Sequence, residues 1–201
     1  MYCLQIPRVD RADRCFLKCL RGEDIGIIAP YVAQVSLLTR LLNSDEKYRK
    51  RFSTTLGDHR KLQLHNIDIK TVDGFEGREK EVIIFSTVRN NPFGQIGFLA
   101  DRRRLNVGLT RAKRGLFIIG NINTLKESKV TRGQTGEGKF MTTSHGGRGV
   151  ASWRRLTKFL VEHRTVLTLS GDLRHGALYG KMPALLRASG FPLDTPYLHQ
   201  S

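Results

Sequence analysis

The chain has 201 residues, 39% of them apolar, enough for one globular domain with a sizeable core. Lys and Arg outnumber Asp and Glu by 34 to 18, so a charge of +16 and a pI near 10.3 predict attraction to a polyanion, nucleic acid ahead of an acidic membrane surface. No apolar run reaches the ~20 residues that span a bilayer, and "MYCLQIPRVDRADR" lacks the apolar core of a secretory signal, so an intracellular location, cytoplasm or nucleus, is expected, with no membrane partner. Three cysteines, Cys3, Cys15 and Cys19, without a second ligand cluster support neither a disulfide framework nor a zinc site.

In chain order, the first predicted element is a helix over "RADRCFLKCL", where Ala12, Cys15, Phe16, Cys19 and Leu20 recur at helical spacing and Gly22 follows as a C-cap. "DIGIIA" reads as a short buried strand. A second helix follows over "YVAQVSLLTRLLN", with Pro30 suited to a first helical turn and Val32, Val35, Leu38 and Leu42 forming one apolar stripe. Residues 44–66 are polar and basic, a loop with some helix.

"IDIKTV" and "EVIIFSTV" are rich in β-branched residues, and the second is too continuously apolar for a strand with one wet face. It belongs at the centre of a sheet covered on both sides. "LADRRRLNVGLTRAK" predicts a basic helix and "GLFIIGN" another buried strand, a strand-helix-strand order that argues for a parallel α/β unit. Beyond Asn121 the texture becomes Gly-, Ser- and Thr-rich. Helical spacing returns through Trp153, Leu156, Phe159 and Leu160. The expected division is a lobe over 1–125, a loop or linker over 126–150, a helix over 151–163 packing on the lobe, and a tail of undecided order over 164–201.

The segments "IGIIAPYVAQ", "TVDGFEGREKEVIIFSTVRNN" and "GQIGFLADRRRLNVGLTRAKRGLFIIGN", in that order and spacing, resemble the second RecA-like lobe of superfamily 1 helicases of the up-frameshift and senataxin type. The resemblance covers roughly residues 12–121. It implies a RecA-like three-layer αβα fold of the phosphate-loop NTPase class with a mostly parallel sheet, incomplete at its N-terminus. The function it implies is that of the C-terminal lobe of an ATP-dependent RNA or DNA helicase or translocase, with nonsense-mediated decay among the processes served.

By that resemblance Arg111, in "NVGLTRAK", is the arginine finger reaching the γ-phosphate across a lobe interface; chemically, a permanently charged planar fork suits a phosphoryl group in transfer. The loop "DGFEGREKE" is expected to couple two ligands, with Gly77 and Glu79 at the ATP and Thr71 and Asp73 toward the nucleic-acid strand. Tyr31, Gln34, Arg89 and Asn90 follow strand ends, where ligand sites of open α/β sheets gather, and are implied nucleic-acid contacts. Arg102, Arg103 and Arg104 are read as solvated arginines. One departure from the family stands out. Glu76 occupies a place usually held by glutamine, and its carboxylate would repel phosphate.

"GQTGEGKF" matches a phosphate loop through Gly133, Gly138 and Lys139 but places Phe140 where a magnesium-binding hydroxyl is required, so it reads as a flexible loop. The cofactors implied are ATP and Mg²⁺, the metal held by a missing first lobe and none bound here. Expected partners are single-stranded RNA or DNA and a first lobe in the full-length protein or another chain. The chain thus reads as a fragment, a truncated gene product or a degenerate paralogue, inactive in ATP hydrolysis alone. The alternative is a non-catalytic basic nucleic-acid-binding module derived from such a helicase.

Overall fold

A computed structural model of the chain describes residues 2–7, 20–56, 62–129 and 146–168. The predicted helix at 11–20 apart from its last residue, with Cys15 and Cys19, the phosphate-loop look-alike at 133–140 and nearly all of the tail lie outside the described residues. Among the described residues six strands form one sheet. In chain order they are β1 (Tyr2–Pro7), β2 (Ile25–Ile28), β3 (Asp68–Lys70), β4 (Lys80–Ser86), β5 (Ala112–Gly120) and β6 (Val166–Thr168), and across the sheet they run β3-β2-β4-β5-β1-β6. β3, β2, β4 and β5 are mutually parallel, whereas β1 pairs antiparallel with both β5 and β6.

The continuous apolar run of β4 does place it inside the sheet, between β2 and β5. Parallel register aligns Gly26 with Ile83 and Leu116, and Ile28 with Phe85 and Ile118, so these residues share a face. That face carries the core, in which Ile28, Ile83, Phe85 and Ile118 are fully buried. Gly26 matters there because an added Cβ would lie 2.6 Å from the Phe75 ring. The opposite face carries Ile27, Val82, Ile84 and Phe117. Together with helices on the sheet this is a three-layer α/β fold with a mostly parallel sheet, of the RecA-like phosphate-loop NTPase kind.

Among the described residues five α-helices accompany the strands: α1 (Val32–Asn43), α2 (Glu46–Leu56), α3 (Arg102–Thr110), α4 (Ile122–Lys126) and α5 (Gly146–Glu162). α1 starts at Val32, with Tyr31 as its N-cap, rather than at Pro30. Its expected apolar stripe is not in the core: no residue of α1 is buried, and Val32 is 69% exposed. The segment 44–66 holds a full helix, α2, and a 3₁₀ turn at Gln63–Asn66. The basic helix is shorter than its apolar pattern suggested, because Gly97–Ala100 forms a separate 3₁₀ turn and Asp101 caps α3 by accepting from the Arg103 N–H at 2.8 Å.

α5 begins five residues before the predicted Ala151. Three glycines make its first turn a poor helix former, but packing requires one of them: a Cβ on Gly149 would fall 1.8 Å from the Ala100 carbonyl oxygen. Trp153 is fully buried, donates its indole N–H to the Leu99 carbonyl at 2.9 Å, and lies 6.2 Å from the Phe85 ring. Among the described residues no helix is long and apolar enough to cross a membrane.

Candidate nucleotide and nucleic-acid sites at opposite sheet edges

Because β2, β3 and β4 are parallel, the residues after their C-terminal ends, Tyr31, Thr71 and Arg89, gather at one edge of the sheet. The paired starts of β4 and β5, Lys80 and Ala112, define the other edge. The nine residues singled out in the sequence therefore do not form one site. They divide between the two edges.

At the edge where β4 and β5 begin, Arg111 ends α3 and accepts at its carbonyl from the Lys80 N–H at 3.0 Å, which sets the loop Gly77–Glu79 beside it. Gly77 has φ +71, a conformation that glycine adopts without strain, and open space where a Cβ would stand. Glu79 is exposed. The loop is held on either side of Glu79, since Arg78 and Lys80 both reach the Asp68 carboxylate, at 3.5 and 4.0 Å, and Lys80 Nζ donates to the Glu23 carbonyl at 2.6 Å. Lys70 shares the same carboxylate at 3.5 Å. One Asp68 carboxylate is thus shared by three cations.

Arg111 is half-buried. One terminal N–H donates to its neighbour Thr110 Oγ at 3.0 Å, while its Nε is buried with no hydrogen-bond partner. The Nε has no surface open to a ligand, so a phosphate at this edge would be met by the terminal N–H groups that Thr110 leaves unused. Magnesium is a different matter: among the described residues no group of three or more His, Cys, Asp or Glu side chains could hold a metal ion.

At the opposite edge the Arg89 Nε donates to the Tyr31 hydroxyl at 2.7 Å, with its guanidinium carbon 5.1 Å from the Tyr31 ring centre. The turn that delivers Arg89 is strained. Val88 has φ +61, rare for a β-branched residue, and the Arg89 N–H folds back onto the Thr87 carbonyl at 2.6 Å. Gly97 makes room for the guanidinium, since a Cβ there would meet Arg89 Nη2 at 2.6 Å. Asn90 accepts from Asn121 Nδ2 at 2.7 Å. Gln34 lies in the first turn of α1, its N–H bonded to the Tyr31 carbonyl at 3.0 Å, and does not line the recess that Tyr31, Arg89 and Asn90 share.

The segment from Thr71 to Glu79 crosses from one edge to the other, with Phe75 buried against the sheet on the way. Thr71 Oγ accepts from the Gly74 N–H at 3.1 Å, closing the turn that starts this crossing. Asp73 is not free for a ligand. It accepts from Arg104 Nε at 3.1 Å and Nη2 at 3.3 Å, and Arg104 itself lies 3.8 Å over the Phe98 ring. This corrects the reading of Arg104 as a solvated arginine: it ties the start of α3 to the crossing segment. The pairing joins residues 31 apart, which helical or strand spacing does not reveal. A double-mutant cycle of Asp73→Ala and Arg104→Ala in urea denaturation should give a coupling of about 0.5–1 kcal/mol, at the upper end for an exposed pair because the fork is bidentate and stacked. Arg104→Lys should lose most of it.

A mostly parallel three-layer sheet, with an arginine and a Gly/Glu loop at one edge and a polar recess at the other, defines a RecA-like domain of the helicase kind. The chain belongs to the AAA domain family, whose profile matches residues 8–123. It is 47% identical over 104 residues to the DNA polymerase alpha-associated DNA helicase A of Saccharomyces cerevisiae, covering 52% of this chain and 13% of that protein. It is 49% identical over 102 residues to helicase sen1 of Schizosaccharomyces pombe, 51% of this chain and 5% of that one. With the regulator of nonsense transcripts 1 homolog of Drosophila melanogaster it shares 40% identity over 127 residues, 63% of this chain and 10% of the relative. The chain thus spans only a small part of these relatives, and it is a helicase-related domain similar to those of the up-frameshift and senataxin proteins.

Proposed function

We propose that this chain is the second RecA-like lobe of an ATP-driven superfamily 1 helicase or translocase acting on single-stranded RNA or DNA. In this reading ATP is held mainly by a first lobe, with magnesium, and its γ-phosphoryl group is the one transferred to water. Arg111 presents its guanidinium to that group as the arginine finger, Glu79 and Gly77 lie against the nucleotide, and Tyr31, Gln34, Arg89 and Asn90 face the strand at the other edge with Thr71. The observation that carries the reading is the half-buried Arg111 guanidinium at the end of α3, fixed beside the Gly77–Glu79 loop by the Lys80 N–H on its carbonyl and by Thr110 Oγ, a preorganised donor of the kind that stabilises developing phosphoryl charge.

The crossing segment gives the two edges a physical connection. It leaves β3 at the strand-binding edge, is clamped to α3 by Asp73 and Arg104, and ends beside Arg111. Asp73, first read as a strand neighbour, serves here by holding that clamp. A finer role in nonsense-mediated decay rests on similarity to regulators of nonsense transcripts, the Drosophila homolog among them.

The test is to supply a compatible first lobe, fused or in trans, and measure ATP hydrolysis with and without single strand. Strand-stimulated turnover that neither lobe shows alone is expected. A second reading, a non-catalytic basic module, is favoured by the exposed carboxylate of Glu76 in the coupling loop and by the +16 charge. Strand binding that ignores both the first lobe and nucleotide would select it. In either case, binding by the isolated chain should weaken steeply with salt, and Arg89→Ala should reduce the log–log slope by about one unit.

A further inference from the structure

Among the described residues, an open recess of about 450 Å³ lies at the edge where β2 and β4 end, lined by Tyr31, Val88, Arg89, Asn90, Asn91 and Gln95. Its size falls within the ~300–1,000 Å³ usual for small-ligand pockets. No carboxylate lines it. With its Nε on Tyr31, Arg89 keeps its terminal N–H groups for a ligand, and Asn90, whose Oδ1 is engaged by Asn121, keeps its Nδ2.

The loop that supplies Asn91 and Gln95 to the recess is unusual for a solvated one. Phe93 is 67% exposed and Val88 41% exposed, and Phe93 stands at the tip of a loop that is rigidly built. Asn91 Oδ1 accepts from the Phe93 and Gln95 N–H groups at 3.1 and 3.0 Å, and Asn91 Nδ2 donates to the Gln95 carbonyl at 2.9 Å. Beneath, the Asn91 N–H and carbonyl both bond Thr124 Oγ, at 3.1 and 2.9 Å. Gly94, at φ +66, closes the loop where a Cβ would fall 2.2 Å from the Glu127 carbonyl oxygen. A mobile loop would let the ring fold back. This one is held at its backbone, with Phe93 exposed between Asn91 and Gln95, two residues of the recess lining.

We infer that this recess and Phe93 form a single-nucleotide subsite, in which the ring of Phe93 stacks on one nucleobase of a single strand while Arg89 holds the adjoining phosphate. The inference rests on the nucleic-acid reading above and adds to it a stacking residue and a reason for affinity beyond charge. Every base has a π-face, so the subsite binds without strong sequence preference. An apolar protein segment is disfavoured as occupant because Arg89 and the amides of Asn90 and Gln95 would be desolvated with nothing to pair them.

The test uses the full chain with a fluorescent oligothymidylate of about ten nucleotides and the same backbone without bases. Phe93→Ala should weaken binding of the base-bearing strand about 5- to 140-fold, leave its salt slope unchanged, and leave the abasic strand unaffected. Arg89→Ala should weaken both strands and lower the slope. Because the chain's one tryptophan, Trp153, is buried, Phe93→Trp adds an exposed indole whose fluorescence should be quenched by the base-bearing strand only. If Phe93→Ala leaves both strands unchanged while Arg89→Ala weakens them, the stacking subsite is wrong and the strand-binding edge stands. If neither variant alters binding, both fail.

Discussion

Replacing Arg111 by alanine in a protein that joins this lobe to a compatible first lobe will lower strand-stimulated kcat by ~10² or more while single-strand affinity changes little. The size follows from the charge being needed chiefly in the transition state. Arginine fingers contribute roughly 10³ to 10⁵ in rate, about 4 to 7 kcal/mol at 1.36 kcal/mol per decade, and ~10² is the conservative end for a lobe whose loop carries Glu76. The separation of effects follows from the geometry, because Arg111 and the residues proposed to bind the strand, Tyr31 and Arg89, lie at opposite edges of the sheet. Arg111→Lys should recover only part of the rate, since an ammonium keeps the charge but loses the planar fork.

The measurement is steady-state ATPase against strand concentration for Arg111→Ala, Arg111→Lys, Arg89→Ala and the exposed control Arg155→Ala, with thermal stability recorded for each. Arg89→Ala should raise the strand concentration needed for half-stimulation and largely keep the rate at saturation. Equal kcat for Arg111→Ala and Arg155→Ala would remove the finger assignment. It would also leave the basic-module reading as the better account of the fold.

The strands of this fold were legible where the physics is one-dimensional. "EVIIFS" announces an interior strand because a run apolar on both faces has no wet side, and β4 does lie between two parallel neighbours. β1 escaped notice although Tyr2, Leu4 and Ile6 alternate with Cys3 and Gln5. Six residues of period two carry little signal, and their antiparallel pairing with β5 depends on a partner more than a hundred positions away. The stripe of α1 carries a different lesson: helical spacing shows that a face is apolar, not how deeply it is buried, and Val35, Leu38 and Leu42 are half-buried while Val32 remains open.

The site divides in the same way. Arg111, Glu79 and Arg89 stand out through motif spacing, but which edge each occupies depends on strand direction. Arg104 looked like one of three equivalent arginines in "DRRRL". Only the fold brings it onto Asp73 and Phe98, while Arg102 and Arg103 remain exposed. The turn signal in "NNPFG" was present, yet a turn sequence does not tell whether its aromatic ring folds inward or stands in solvent. Phe93 stands out once its exposure is known.

The largest expected loss of stability belongs to Trp153, because it anchors a helix from beyond residues 126–145 onto the lobe. Trp153→Ala should cost about 3–5 kcal/mol: it removes a fully buried aromatic side chain from the core face against Phe85, leaves a cavity, and strips the Leu99 carbonyl of its donor. For a domain of this size that is a fall in Tm of roughly 6–20 °C. Trp153→Phe keeps most of the ring but not the N–H, so it should fall between, by about 1–3 kcal/mol. Leu99 sits in the 3₁₀ turn that also carries Phe98 under Arg104. Loosening that turn should therefore reduce the Asp73–Arg104 coupling in the Trp153→Ala background as well. Urea denaturation followed by circular dichroism is the appropriate measurement, since the substitution removes the chain's one indole. A change below about 1 kcal/mol would mean that α5 merely rests on the lobe. A change in the expected range, with the coupling diminished, would make α5 part of the cooperative unit that positions α3 and, at its end, Arg111.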